Sequence, residues 1–158
     1  MIKVRIIAVG KLKEKFFLEA AREYEKRLKA FCELQTVEIK PYALPENPSE
    51  SEINTALKEE ALKISEKIPK GAAIFPLVVE GKSLSSEELA LKTERLINDG
   101  QSICFIIGGS YGLSSDIKRL GEGISFSKMT FPHRLFRIML LEQIYRSFTI
   151  ISGKKYHK

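Results

Sequence analysis

The sequence has 158 residues, of which 44% are hydrophobic and 29% are charged, a balance typical of one globular domain spanning residues 1–158. It contains no apolar run of about 18 residues, so no membrane-spanning helix is predicted. The N-terminal apolar stretch is too short and too charged for a signal peptide, which favours a cytoplasmic protein. The net charge of +6 favours an anionic partner such as nucleic acid, although many basic proteins bind none.

Apolar runs of strand length alternate along the chain with amphipathic helical segments. In chain order, the pattern predicts a strand at 2–10, a helix at 14–31, a strand at 34–42, a helix from 49 to about 68, a strand at 72–79, a helix from 85 to about 98, a strand at 102–108, a short helix near 115–120, a short strand at 123–127 and a long helix from 132 to about 150. This alternation predicts an α/β fold, a mostly parallel sheet flanked by helices.

Local signals support several of these elements. Ser49 and Glu52 have the spacing of a capping box, and the same spacing recurs at Ser85 and Glu88, so both pairs predict helix starts. Pro76 lacks a backbone N–H, which places its strand at a sheet edge or at a bulge. The strand SICFIIG has almost no polar alternation, which predicts that both its faces are covered.

The last helix, PHRLFRIMLLEQIYRSFTII, is apolar around more than half of its circumference. In a chain of this size, one face of the sheet can hardly cover so much apolar surface on the helix. We therefore expect a second copy of the chain to cover it, which gives a homodimer with a two-fold interface. The alternative is a central helix within a monomer.

The stretch CFIIGGSYGLSS contains G-x-S-x-G, the pattern of a hydrolase nucleophile elbow around Ser110. Asp116 follows it, and His133 or His157 completes the order of a catalytic triad. Little sheet follows this turn, however, and Asp116 stands where an acidic residue favours the start of a helix. We therefore interpret the glycines as a turn that lets a ligand approach backbone N–H groups.

Two further patterns are excluded. Gly81-Lys82-Ser83 is half of a phosphate loop, but a proline stands where that motif needs its first glycine. The cysteines Cys32 and Cys104 are far apart and match no metal-ligand spacing, so no metal site is predicted.

Two segments near the C-terminus have compositions that suggest binding of a purine-like ring or of nucleic acid. Met129 and Phe131 are apolar residues within a short loop, where they either close over a purine-like ring or fill the core. The terminal residues KKYHK combine cations with an aromatic ring, a combination suited to phosphates and a stacked base. The alternative for this tail is a solvated, frayed terminus.

Several motifs together resemble the family of ribosomal RNA large subunit methyltransferase H, over the whole length of the chain. They are FIIGGSYGL, SFSKMTFPH, LLEQIYRSF, the terminal YHK, AVGKLKEKFF, EYEKRL and LSSEELA. The resemblance implies a homodimeric SPOUT-class enzyme that methylates N3 of a pseudouridine in 23S rRNA of the assembled ribosome. It also implies a C-terminal trefoil knot and a cofactor region at about 75–150, where S-adenosylmethionine binds. The implied cofactor-binding positions are Leu77, Gly108, Phe126, Ser127, Lys128, Met129, Thr130 and Phe131.

With this chemistry in view, the basic and aromatic tail suggests hypotheses for the roles of the C-terminal residues. A cation such as Arg146 would stabilise the anion that forms on the base, Tyr156 would stack on the base or hydrogen-bond it, and His157 would remove its proton or add a cation. Three lysines are expected to contact RNA, and these are Lys154, Lys155 and Lys158. One copy would supply the cofactor while the other lends its tail.

Three positions depart from the family pattern. Ser152 stands where a basic residue is expected, Lys155 stands where proline is common, and Val78 replaces an acidic or polar residue. Two alternatives remain open from the sequence. One is a SPOUT methyltransferase that acts on another RNA such as tRNA, and the other is an inactive RNA-binding or ribosome-assembly module.

Overall fold

The computed structural model describes residues 1–157. Five strands alternate with five helices, as the sequence pattern predicts. Their bounds are β1 Ile2–Val9, α1 Lys15–Leu28, β2 Cys32–Ile39, α2 Glu50–Lys67, β3 Ala73–Ser83, α3 Ser86–Asn98, β4 Ile103–Ile107, α4 Ser115–Lys118, β5 Ile124–Ser125 and α5 His133–Ile151.

The strands form one five-stranded sheet in the order β2-β1-β4-β3-β5. Every pairing between neighbouring strands is parallel. The α/β class with a parallel sheet is therefore confirmed. In a parallel sheet the carboxyl ends of all strands lie at one edge, so the segments that follow β1, β3, β4 and β5 come together there.

Helices cover both faces of the sheet. On one face, α1, α3 and α5 pack on a core that includes Phe105 and Leu141, and on the other face α2 and α4 pack on Cys104 and Ile106. All five residues of β4 are buried, which confirms the prediction that both its faces are covered. Burial raises the pKa of the Cys104 thiol to about 12.

Both predicted capping boxes are present. The Ser49 hydroxyl accepts a hydrogen bond from the backbone N–H of Glu52 at 3.1 Å, and the Glu52 carboxylate accepts one from the Ser49 N–H at 3.1 Å. Ser85 and Glu88 make the same pair of bonds at the start of α3. These helices begin where the sequence predicted because a capping box is a local interaction.

The sequence predicted an edge strand or a bulge at Pro76, and the structure has an irregularity on an inner strand. β3 is an inner strand between β4 and β5. The last residue pair between β3 and β4 is Pro76 opposite Ile106. The register against β5 shifts between Leu77 and Lys82, an irregularity of the kind a proline favours.

The segment before β5 lies directly against the backbone of β3. The N–H of Glu122 donates to the carbonyl of Ile74 at 3.1 Å, and a Cβ atom on Gly121 would come within 1.9 Å of that carbonyl oxygen. A residue with a side chain therefore does not fit at position 121 without moving backbone.

Helix α5 receives more cover from its own chain than the sequence analysis assumed. α1 and α3 flank it, and Leu140, Leu141 and Ile144 are buried within one chain. Leu135 remains 39% exposed. In residues 1–157, no helix is both long and apolar enough to cross a membrane.

Candidate cofactor cavity and C-terminal cluster

A cavity of about 590 Å³ opens at the carboxyl edge of the sheet. Four segments meet around it: the end of β3, the glycine turn after β4, the loop after β5 and the first turn of α5. Its lining residues include Leu77, Val78, Ile107, Gly108, Gly109, Ser110, Phe126, Ser127, Met129, Thr130, Phe131, Pro132 and His133. The glycine turn and the proline-ended loop, two separate motifs in the sequence, thus line one cavity.

The glycine turn folds back on itself. The N–H of Gly112 donates to the carbonyl of Gly109 at 3.1 Å, and Gly112 has a φ of +77°. A Cβ atom on Gly108 would lie 2.5 Å from the carbonyl carbon and oxygen of Gly112. Gly108 is therefore required for the close approach of the two ends of the turn.

The serine of this turn has none of the partners of a hydrolase nucleophile. Ser110 is exposed at the tip of the turn. The carboxylate of Asp116 binds Arg119 instead, with 2.7 Å between Oδ1 and Nη2. The interpretation as a structural turn is therefore favoured over the triad.

The loop after β5 is held by its own hydrogen bonds. The Ser127 hydroxyl accepts from the backbone N–H of Met129, and the Ser127 carbonyl accepts from the Ser125 hydroxyl, both at 3.0 Å. The Met129 side chain is 73% exposed at the rim of the cavity. Met129 therefore does not fill the core, one of the two alternatives that the sequence left open.

Of the eight predicted cofactor-binding residues, seven line this cavity, and Lys128 is exposed beside it. The structure also adds residues that the sequence analysis did not assign. Lys118 and Glu80 line the wall and bind each other, with 2.6 Å between Nζ and Oε1. His133 lies at the start of α5, and burial lowers the pKa of its imidazole.

The three predicted catalytic residues lie together at the other end of α5. With two glutamates they form a group that we call the C-terminal cluster: Glu87, Glu142, Arg146, Tyr156 and His157. His157 Nδ1 is 3.1 Å from Arg146 Nη1, and His157 Nε2 is 2.6 Å from Glu87 Oε1. The Arg146 guanidinium also lies over the Tyr156 ring, 4.9 Å from its centre.

The electrostatics of the cluster follow from these contacts. The hydrogen bonds with Glu142 raise the pKa of Arg146, so its guanidinium stays charged. Burial, with a further contribution from the neighbouring Tyr24 hydroxyl, raises the pKa of Tyr156 to about 12. The tyrosine is therefore a neutral ring near pH 7, suited to stacking or to donating a hydrogen bond.

The predicted RNA-binding lysines differ in their surroundings. The Lys154 ammonium lies over the ring of Phe31, 4.6 Å from its centre, and Lys155 is exposed. The prediction for Lys158 lies outside the described residues. Among residues 1–157, no group of three or more His, Cys, Asp or Glu side chains is arranged to hold a metal ion.

The cofactor cavity and the C-terminal cluster are separate within one chain. Arg146, Tyr156 and His157 are absent from the residues that line the 590 Å³ cavity in the described part of the protein. A second groove of about 390 Å³ lies beside the cluster and includes Glu142 in its lining. Ile124 and Phe126 line both the cavity and the groove, so the two adjoin at the β5 segment.

Comparison with known proteins first identifies the class of protein to which the chain belongs. Residues 2–157 match the family described as "Predicted SPOUT methyltransferase". The crystal structure of TrmJ from Z. mobilis ZM4 has the same fold, with a TM-score of 0.55 at 14% identity, over 94% of this chain and 71% of that one. The parallel sheet and its cavity thus belong to a SPOUT methyltransferase.

Relatives in sequence give the particular family. Ribosomal RNA large subunit methyltransferase H of Bacillus thuringiensis subsp. konkukian is 46% identical over 159 residues, covering 99% of this chain and 100% of that protein. The protein of the same name from Bacillus cereus is 45% identical with the same coverage. The chain belongs to the ribosomal RNA large subunit methyltransferase H family, and the resemblance seen in the sequence is confirmed.

Proposed function

We propose that the protein transfers a methyl group from S-adenosylmethionine to N3 of a pseudouridine in 23S rRNA, within the assembled ribosome of the cytoplasm. The observation that carries the proposal is the convergence of the glycine turn and the loop 126–132 on one cavity. Membership of a family whose curated members are named as ribosomal RNA large subunit methyltransferases gives the substrate class. The trefoil knot and the homodimer are part of this proposal.

The cavity fits the proposed cofactor in three respects. Its volume of about 590 Å³ lies within the usual range of small-molecule sites. Gly108, Gly109 and Gly112 line the cavity without side chains, so a ligand can approach backbone groups of the turn. Phe126 and Met129 offer apolar surface to a purine ring. Leu77, Ser127, Thr130 and Phe131 complete the proposed binding site.

The chemistry requires little of the protein beyond positioning and charge. S-adenosylmethionine supplies an electrophilic methyl group when it is bound. N3 of the base must lose its proton, and an adjacent guanidinium such as that of Arg146 stabilises the resulting anion. The Tyr156 ring stacks on the extruded base, and His157 supplies a proton acceptor or a further cation. Lys154, Lys155 and Lys158 bind phosphates of the RNA.

The separation of the two sites supports a dimer in which each active site uses both copies. The C-terminal cluster of a chain lies outside that chain's own cavity, so the cluster of a partner subunit would meet the cofactor. The exposed apolar surface of α5, including Leu135, is available for the two-fold contact. Light scattering of the purified protein at micromolar concentration tests this, and a monomer would contradict the dimer.

The function is tested by mass spectrometry of RNA after incubation with labelled S-adenosylmethionine. Unmodified ribosomes, free 23S rRNA and tRNA are compared as substrates. We expect one methyl group on a pseudouridine of the ribosomal sample alone. Methylation of tRNA with none on ribosomes would contradict the proposal.

The use of both copies is tested by mixing two inactive variants. Thr130→Trp fills the cavity at an exposed position, and the second variant lacks residues 156–158. Mixed dimers contain one site with an intact cavity and an intact partner tail, so we expect activity to return on mixing. No recovery in mixed dimers that light scattering has verified would contradict the arrangement.

A further inference from the structure

Glu142 holds two of the three proposed catalytic residues through one oxygen atom. Its Oε1 accepts hydrogen bonds from Arg146 Nε at 2.9 Å and from Arg146 Nη2 at 2.5 Å. The Tyr156 hydroxyl donates to the same oxygen at 3.3 Å. Two guanidinium nitrogens on one acceptor fix both the position and the plane of the guanidinium, which a single bond would leave free to rotate.

The orientation of the Arg146 guanidinium plane determines which hydrogen bonds the His157 imidazole can make. With Nε and Nη2 on Glu142, the remaining nitrogen Nη1 faces His157 Nδ1 at 3.1 Å. A guanidinium only donates hydrogen bonds, so Nδ1 must accept and carries no proton. The ring proton then sits on Nε2, where it donates to Glu87 Oε1 at 2.6 Å. The two contacts thus match the Nε2–H tautomer, in which each nitrogen of the imidazole has a partner.

We propose that Glu142 is a positioning residue for the methyl transfer, which orients Arg146 and Tyr156 and, through Arg146, holds His157 as the neutral Nε2–H tautomer. This inference rests on the proposed function for its catalytic consequence. The lone pair on Nδ1 is the one that can accept the N3 proton of the base, once the base has displaced the hydrogen bond from Arg146 Nη1. When it does, the N3–H bond breaks, an Nδ1–H bond forms, and the resulting imidazolium keeps its Nε2–H bond to the Glu87 carboxylate.

The contacts of Glu142 separate this role from general stabilisation of the fold. Its carboxylate bonds to Arg146, to Tyr156 and, through Oε2, to the adjacent Gln143 at 2.9 Å. The residue lines the 390 Å³ groove and does not line the cofactor cavity. Loss of the carboxylate should therefore disturb the C-terminal cluster while leaving the core and cofactor binding intact.

The tautomer is measured directly by long-range ¹H–¹⁵N NMR of the full chain. The protein has only two histidines, so two imidazoles appear, and His157→Gln identifies the signals of His157. We expect the neutral Nε2–H form in the wild type and a mixture of tautomers in Glu142→Ala. Glu59→Ala removes an exposed carboxylate from α2 and serves as the matched control, with an unchanged His157 spectrum.

Kinetics give the second measurement. Misplacement of reacting groups by about 1 Å can cost about a hundredfold in rate, so we expect kcat of Glu142→Ala to fall by about tenfold to a hundredfold. The affinity for S-adenosylmethionine, measured by calorimetry, should stay at the wild-type value. If Glu142→Ala does not fold, Glu142→Gln keeps the shape and one acceptor oxygen and should shift both readouts in the same direction.

A wild-type tautomer and a wild-type kcat in a folded Glu142 variant would overturn the inference. Failure of the proposed function would look different, because the wild type itself would then methylate no ribosomal RNA. The NMR comparison needs neither RNA nor cofactor, so in that case it still decides whether Glu142 sets the tautomer of His157.

Discussion

Gly108 and Gly112 approach each other so closely that a Cβ atom on Gly108 would lie 2.5 Å from the carbonyl group of Gly112. This distance is far below van der Waals contact, and the obstructing atoms are backbone. Substitution at position 108 must therefore open the turn that forms one wall of the cofactor cavity.

We expect Gly108→Ala to weaken binding of S-adenosylmethionine by at least about tenfold, equivalent to roughly 1.4 kcal/mol. Calorimetric titration measures the affinity, and circular dichroism verifies that the fold persists. Gly100→Ala is the matched control, because Gly100 has a φ of +67° but no neighbour within 4 Å of an added Cβ. It should cost about 1 kcal/mol of stability and leave binding unchanged. Equal affinities for all three proteins would contradict the prediction.

The ion pair between Arg137 and Glu38 joins α5 to β2. Arg137 Nη1 lies 2.7 Å from Glu38 Oε2, and Arg137 Nη2 donates to the Gly10 carbonyl at 2.8 Å. The arginine side chain is 6% exposed, whereas that of Glu38 is 43% exposed. Removing one partner of a fully buried pair costs about 3–5 kcal/mol, and solvent around Glu38 reduces this.

We therefore expect Glu38→Gln to lower the free energy of unfolding by about 2 kcal/mol in urea titrations. Glu23→Gln is the control, since its pair with Arg27 on α1 is largely exposed and screened by solvent, and its loss should change stability much less. The prediction fails if the two variants lose the same stability.

The capping box at the start of α2 gives a smaller effect. Ser49→Ala removes the acceptor for the Glu52 N–H and should lower the free energy of unfolding by about 1 kcal/mol. Ser51→Ala, two residues further into the helix, replaces an exposed serine by a better helix former and should be neutral or slightly stabilising. Urea denaturation of both variants makes the comparison. A free energy of unfolding of Ser49→Ala equal to that of the wild type would argue against the cap.

His133 should make stability depend on pH. Burial, with Arg134 and Arg137 nearby, lowers the pKa of its imidazole below the ordinary value of 6.5. Between the two values the unfolded chain binds more protons than the folded one, so acidification favours unfolding. Stability should be fully present above about pH 6.5 and decline as the pH falls through the lowered pKa.

The measurement is the free energy of unfolding of wild type and His133→Gln at several pH values between about 5 and 7.5. The difference between the two proteins cancels the contributions of carboxylates such as Glu60, whose pKa burial raises. We expect a shallower pH dependence in the variant. If the free energies of unfolding of the two proteins depended on pH in the same way, His133 would not contribute to the pH dependence.

Sequence reasoning was most accurate where the determining interaction is local. The two capping boxes located the starts of α2 and α3 because their partners are three residues apart. The sequence left open whether Pro76 lies at an edge or at a bulge, because strand order depends on contacts between distant segments. The cover of α5 was underestimated for the same reason: α1 and α3 lie far from it in sequence.

The candidate site shows the same limit. The motifs around Gly108 and Met129 indicated the two sides of the cavity, but not the Glu80–Lys118 pair in its wall. Glu142 and Arg146 are four residues apart on α5, a spacing that predicts contact. The pairing of His157 with Glu87, 70 residues away, follows only from the packing of α3 beside α5.

The backbone contacts around the cofactor cavity bear on the design of inhibitors. The glycine turn at Gly108, which lines the cavity, leaves no room for an added side chain. A compound that rested on the peptide groups of this turn would meet a surface that point mutation cannot reshape without damaging the fold. Substitutions that weaken such a compound would have to arise at other lining residues, such as the exposed Met129 and Thr130, and affinity measurements on variants at those two positions test this.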